Sequence, residues 1–213
     1  MPTAREALLD AARSALSRQP WTSVRMVDVA ARAGVSRQTL YNEFGSKDGL
    51  ARALIRRAAD DYLAGVDRTL GADRRRGAGP AALARWTVGA ARADTLVRAL
   101  LTGVWGERLP VPAASPSGRP ADGPALPTPG ELLTLVRDRA VAALEDTSAE
   151  GTAVLELHCE MALRLALSYT LVPAEPASQA EEPDSCRPIT PMMTSEMETS
   201  LSVDTTSPRK TIP

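Results

Sequence analysis

The sequence predicts an all-α protein, a small N-terminal three-helix unit followed by a larger helical body. Three observations carry that prediction. Only 3% of the 213 residues are aromatic, and Ala and Leu, both strong helix formers, are abundant. Apolar residues recur at i, i+3, i+4 and i+7 through most of the first 172 residues, the spacing of a helix face. Capping signals, Thr3 with Glu6, Thr128 with Glu131 and Thr147 with Glu150, stand at the starts of three of these stretches.

The first helix opens at the Thr3 and Glu6 capping box, carries Leu8, Ala11, Ala12, Ala15 and Leu16 as a stripe, and stops at Pro20. Trp21 follows. Beside an apolar stripe an aromatic ring packs into a core more often than it stacks on a base, so Trp21 is read as packing the first helix against the next two. Met26, Val29, Ala30 and Ala33 give a second helix one apolar face. Gly34 can end it in a left-handed conformation, and Ser36 is a good N-cap for a third. In that third helix Leu40 and Phe44 point inward, which leaves Arg37, Gln38, Tyr41, Asn42 and Glu43 outside.

A short helix held from behind, with Arg, Gln and Asn in front, has what a reader of the DNA major groove needs. Arg pairs with guanine and Gln or Asn with adenine, each contact worth roughly 1–3 kcal/mol of discrimination. On periodicity alone the plainer reading stays open, a helical hairpin whose polar face meets water.

The stretch VAARAGVSRQTLYNEFGSKDGL resembles the helix-turn-helix signature of the TetR-type transcriptional regulators, through Val29, Ala30, Ala33, Gly34, Val35, Ser36, Thr39, Tyr41, Phe44, Lys47 and Leu50. The resemblance is specific over residues 4–55 and architectural beyond them. It implies that Arg37, Gln38 and Asn42 read bases, and that Ser36, Thr39, Tyr41 and Lys47 contact phosphates. Arg25 stands where such proteins usually carry a capping Ser or Thr, and is read here as a further phosphate contact. Residues 1–46 are then a helix-turn-helix DNA-binding domain, and 47–172 a helical ligand-binding and dimerisation domain.

Charge agrees. Residues 1–58 have a net balance of +5, residues 59–172 of −2 and residues 173–213 of −4. A basic unit on an acidic chain suits a polyanionic partner. All the basic residues except Lys47 and Lys210 are Arg, and Arg74, Arg75 and Arg76 form a short basic loop read as solvated.

From Lys47, with Ser46 as its cap, a long helix is expected to about Leu70, with Leu50, Leu54, Ala58, Tyr62 and Val66 along one side. Pro80 opens a further helical region to about Gly103, broken near Asp94. Residues 106–127 are rich in Pro, Gly, Ser and Ala and read as a loop. A helix restarts at Thr128 with Pro129 in its first turn. The last strong helix is expected over 148–172 behind the Thr147 cap, apolar on most of its circumference, which calls for several covering helices, a cavity or a second subunit. Residues 173–213 read as a disordered tail, although the i+4 spacing of Ile189, Met193, Met197 and Leu201 allows a short helix over 191–202.

Other chemistries find little support. Two cysteines and one histidine make no disulfide framework and no zinc set, and a reducing cytoplasm is the simplest assignment. No cofactor is expected. No apolar run reaches the length of a membrane span, and no signal peptide is read before the first helix. A small helical enzyme would need an acid–base pair assembled by the fold.

The resemblance implies a homodimeric, ligand-responsive regulator, most simply a repressor, bound to an inverted-repeat operator on double-stranded DNA. The alternative is a DNA-binding regulator with no small-molecule ligand. For the ligand, Trp86, Trp105, His158 and Met161 are the larger adaptable side chains of the helical body, which points to a small apolar effector with one polar group. Each of the four could equally fill core.

Overall fold

The computed structural model describes residues 3–73, 79–111, 126–145 and 151–172, all within one compact unit, Met1–Ala174. Among the described residues it is all-α, with eight helices: α1 (Ala4–Leu16), α2 (Met26–Ala33), α3 (Arg37–Phe44), α4 (Lys47–Asp73), α5 (Gly79–Ala93), α6 (Thr95–Thr102), α7 (Pro129–Leu144) and α8 (Thr152–Leu171). A single 3-10 turn, Trp21–Ser23, joins α1 to α2.

Local chemistry sets most of the boundaries. The Thr3 hydroxyl accepts from the Glu6 amide while the Glu6 carboxylate accepts from the Thr3 amide, so α1 starts at a complete capping box. Thr128 and Glu131 do the same for α7, with Pro129 at its first position. These reciprocal bonds hold both glutamates below the usual carboxylate pKa. Gly34 ends α2 with φ at 70°, a left-handed conformation that a Cβ disfavours. The expected break near Asp94 divides the helical region after Pro80 into α5 and α6, with the Asp94 carboxylate accepting from the Leu96 amide.

Helix α4 is the spine. Leu50, Leu54 and Ile55 bury against α1 and α3, and Tyr62, Val66 and Leu70 bury in the body formed with α5, α6 and α7. It runs three residues past the expected Leu70 end, because Gly71 weakens a helix without stopping it. Gly65 has a packing reason: a Cβ there would lie 1.9 Å from the Trp86 ring of α5. One turn earlier the Tyr62 hydroxyl and the Thr87 hydroxyl are 2.9 Å apart, a buried bond that joins α4 to α5.

Helix α8 packs along α5 and α7, burying Leu155, Cys159, Leu163 and Ala166. Its start is Thr152 behind Gly151, without a side-chain cap, so the expected start at 148 is corrected by four residues. The Thr147 and Glu150 capping box lies outside the described residues, as do Arg74, Arg75 and Arg76, most of the 106–127 loop, and the tail with its 191–202 segment.

Candidate nucleic-acid interface

The recognition face is built from α3 outward. Ser36 caps the helix, its hydroxyl accepting from the Thr39 amide at 3.0 Å and lying 2.9 Å from the Thr39 hydroxyl. Leu40 and Phe44 anchor the inner side in the core. The back is tied further by Arg5 of α1, whose guanidinium lies 4.8 Å from the Phe44 ring centre and donates to the Glu43 carbonyl at 3.3 Å. The same guanidinium engages the Glu43 carboxylate at 3.4 Å, which partly offsets the one acid on this helix.

With its inner side fixed, α3 turns Arg37, Gln38, Tyr41 and Asn42 outward, all exposed. The Gln38 amide nitrogen donates to the Asn42 side-chain oxygen at 2.8 Å, an i, i+4 bond that holds both amides on one face. Arg37 makes no bond to another described residue and is available to a partner.

Two cations stand at the starts of the helices before and after α3. Arg25 occupies the N-cap position of α2 without a capping bond and pairs instead with Asp28 at 2.8 Å, so the first amides of α2 have no side-chain acceptor. Lys47, at the start of α4, donates to the Thr22 carbonyl at 3.1 Å and lies 5.5 Å from the Trp21 ring centre. Partial burial lowers its pKa from the ordinary lysine value, against the opposing pull of Asp48. Trp21 itself is core, as expected, and its amide donates to the Arg108 carbonyl at 2.8 Å. The segment after α6 therefore touches the residue on which Lys47 rests.

The four side chains chosen for a ligand pocket do not meet. Trp86 packs against Gly65 of α4, and Trp105 lies half-buried in the segment after α6. His158 and Met161 sit on the exposed side of α8. The reason is rotational: α8 buries the positions of Leu155, Cys159 and Leu163, so residues about a quarter to a half turn away face outward. A cleft of about 570 Å³ lies between α4 and α5, with Trp86 as its one member from that set. Large side chains drew the sequence reading, whereas the cleft owes its room to Gly65, Ala72 and Ala82. Among the described residues no His, Cys, Asp or Glu group is clustered to hold a metal ion, and no helix is long and apolar enough to cross a membrane.

A short α3 held from behind, with guanidinium and amide groups in front and α2 before it, defines a helix-turn-helix unit. Residues 8–54 match the family described as bacterial regulatory proteins of the tetR family, so this stretch is similar to the DNA-binding unit of the TetR-type regulators. The HTH-type transcriptional regulator AlkX of Mycobacterium tuberculosis is 45% identical over 69 residues, 32% of this chain and 33% of that protein. The match thus spans about a third of the relative's length. Among solved structures, the TetR family repressor AlkX from Dietzia sp. strain DQ12-45-1b, implicated in biodegradation of n-alkanes, is 23% identical with a TM-score of 0.46, covering 82% of this chain and 86% of that one. A putative tetR family transcription regulator from Shewanella sp. PV-4 is 15% identical with a TM-score of 0.44, covering 80% and 85%.

Proposed function

We propose that the protein is a homodimeric transcriptional regulator that binds an inverted-repeat operator through α3 and is released from it by a small molecule held in the helical body. Repression is the simplest outcome, since a bound dimer blocks a promoter by occupancy alone. The observation that carries the reading is the outward set of Arg37, Gln38 and Asn42 on a helix whose inner side is fixed by Leu40, Phe44 and Arg5. In this reading Ser36, Thr39, Tyr41, Lys47 and Arg25 contact phosphates, Arg25 by sharing its guanidinium with Asp28.

Dimerisation has a physical motive. One recognition helix reaches about 3–4 base edges, too few to specify a site in a genome, and two helices about one DNA turn apart double the reading. The surface that fits is α8, where Val154, Leu157, Met161, Leu165 and Tyr169 form a continuous exposed apolar stripe. A second copy of this chain covers it with the same stripe about a two-fold axis. The experiment is a mobility-shift and footprinting assay on the DNA upstream of the gene. Protection of two half-sites by a dimer is expected, and binding without sequence preference would remove the regulator reading.

A further inference from the structure

We infer that the cleft between α4 and α5 binds a small apolar carboxylate, clamped between Arg68 and Arg85. The inference deepens the proposed function by naming the class of its effector, and rests on that reading only for the consequence on DNA.

The cleft has an apolar wall and two cations. Trp86 closes one side, and the room comes from small residues at Gly65, Ala72 and Ala82. Arg68 enters from α4 and Arg85 from α5. Neither has an ion-pair or hydrogen-bond partner among the described residues, unlike three arginines of α7 and α8. Arg137 and Arg164 are paired with Asp138 and Glu160, and Arg139 with Asp67 at 2.6 Å. That last pair takes the carboxylate that adjoins Arg68 in sequence, and Arg68 and Arg85 both line the same cleft. Two guanidiniums lining one cavity repel, and an anion shared between them turns the repulsion into two charge-assisted bonds.

The indole N–H of Trp86, a residue of the same wall, is buried and has no acceptor among the described residues. The cleft, open to solvent and about 570 Å³, lies within the size range of small-molecule sites. A ligand held by one arginine from each helix fixes α4 against α5. Since α4 begins at Lys47 and carries α1 and α3 on its first turns, that clamp acts on the helix that positions the recognition face.

The test is calorimetric titration of the full-length protein with salicylate, benzoate and octanoate, against the neutral analogues salicylamide, benzamide and octanol. At least one carboxylate should bind saturably, one per subunit, and its neutral analogue about tenfold or more weakly. Arg68→Gln and Arg85→Gln should each weaken binding about tenfold, with Arg68→Lys and Arg85→Lys recovering part of the loss. All four variants should still unfold cooperatively, which shows that they fold. The inference is overturned if no carboxylate binds at millimolar concentration, if the neutral analogues bind as tightly, or if the Arg68→Gln, Arg85→Gln double variant binds like the wild type. Carboxylate binding without operator release would keep the cleft and remove the regulatory reading.

Discussion

Arg13 of α1 is bonded to Asp94, the residue that caps α6. One Asp94 oxygen accepts from the Leu96 amide and the other from Arg13, whose second nitrogen reaches Asp61 of α4 at 3.2 Å. A single carboxylate therefore joins the helix behind the DNA-reading unit to the start of a helix in the body. Nearby, Arg57 of α4 bonds Asp10 of α1 at 2.9 Å and the Glu6 carbonyl at 3.3 Å. The two parts of the chain meet through charge as well as apolar packing.

The Arg13 and Asp94 pair should show measurable but modest coupling, because Arg13 is 43% exposed. A double-mutant cycle of Arg13→Ala and Asp94→Asn in urea should give about 0.5–1 kcal/mol. Asp94→Ala should cost about 1 kcal/mol more than Arg13→Ala, since it also removes the α6 cap. Equal costs would mean that the cap contributes nothing.

Arg37→Ala should weaken specific binding by roughly 1–3 kcal/mol per half-site and relax preference at one base pair in each. Mobility shifts on single-base operator variants check this. An unchanged preference at every position would take Arg37 off the bases.

Lys47→Ala should weaken binding to operator and to random DNA alike, and lower the salt slope by about one unit per half-site. Salt-dependent binding curves on the two DNAs read both numbers. Loss confined to the operator would contradict a phosphate role.

Tyr62 sets a pH limit. Burial pushes its phenol up to about 12 from the ordinary 10, with the Thr87 bond pulling slightly the other way. The folded state keeps the proton where the unfolded chain has lost it, so stability present below pH 10 should fall as pH rises from 10 toward 12. At pH 11 the loss is about 1–1.5 kcal/mol. Urea melts at pH 9 and 11 should show this decline in the wild type and not in Tyr62→Phe. A parallel decline in both proteins would clear Tyr62.

Met161→Glu on α8 should give a folded monomer, because a carboxylate is placed in the middle of the stripe that runs from Val154 to Tyr169. Deletion after Pro173 should leave a dimer that still binds its operator. Sedimentation decides both. A monomeric truncated protein would assign residues 189–203 to the interface.

The helix-turn-helix was legible because its signals are local. Gly34, Ser36, Leu40 and Phe44 act within one or two turns, so their spacing alone specifies an end, a start and an inner face. The break at Asp94 and both complete capping boxes were legible for the same reason. Which side of α8 is covered was not, because nearly every side of it is apolar and only the positions of α5 and α7 choose Leu155, Cys159 and Leu163 over Leu157, Met161 and Leu165.

By itself, then, the sequence determined an all-α chain, the DNA-reading unit, and the residues that α3 turns outward. Tertiary structure alone decided where the cleft lies, that Arg68 and Arg85 share it, that Arg13 reaches Asp94 across 81 residues, and that His158 and Met161 face away. Caps and helix faces depend on neighbours about four residues away, which a sequence contains directly. A cleft, an ion pair between distant helices or a free helix face depends on how whole helices rotate against one another, and that is fixed only when their cores pack.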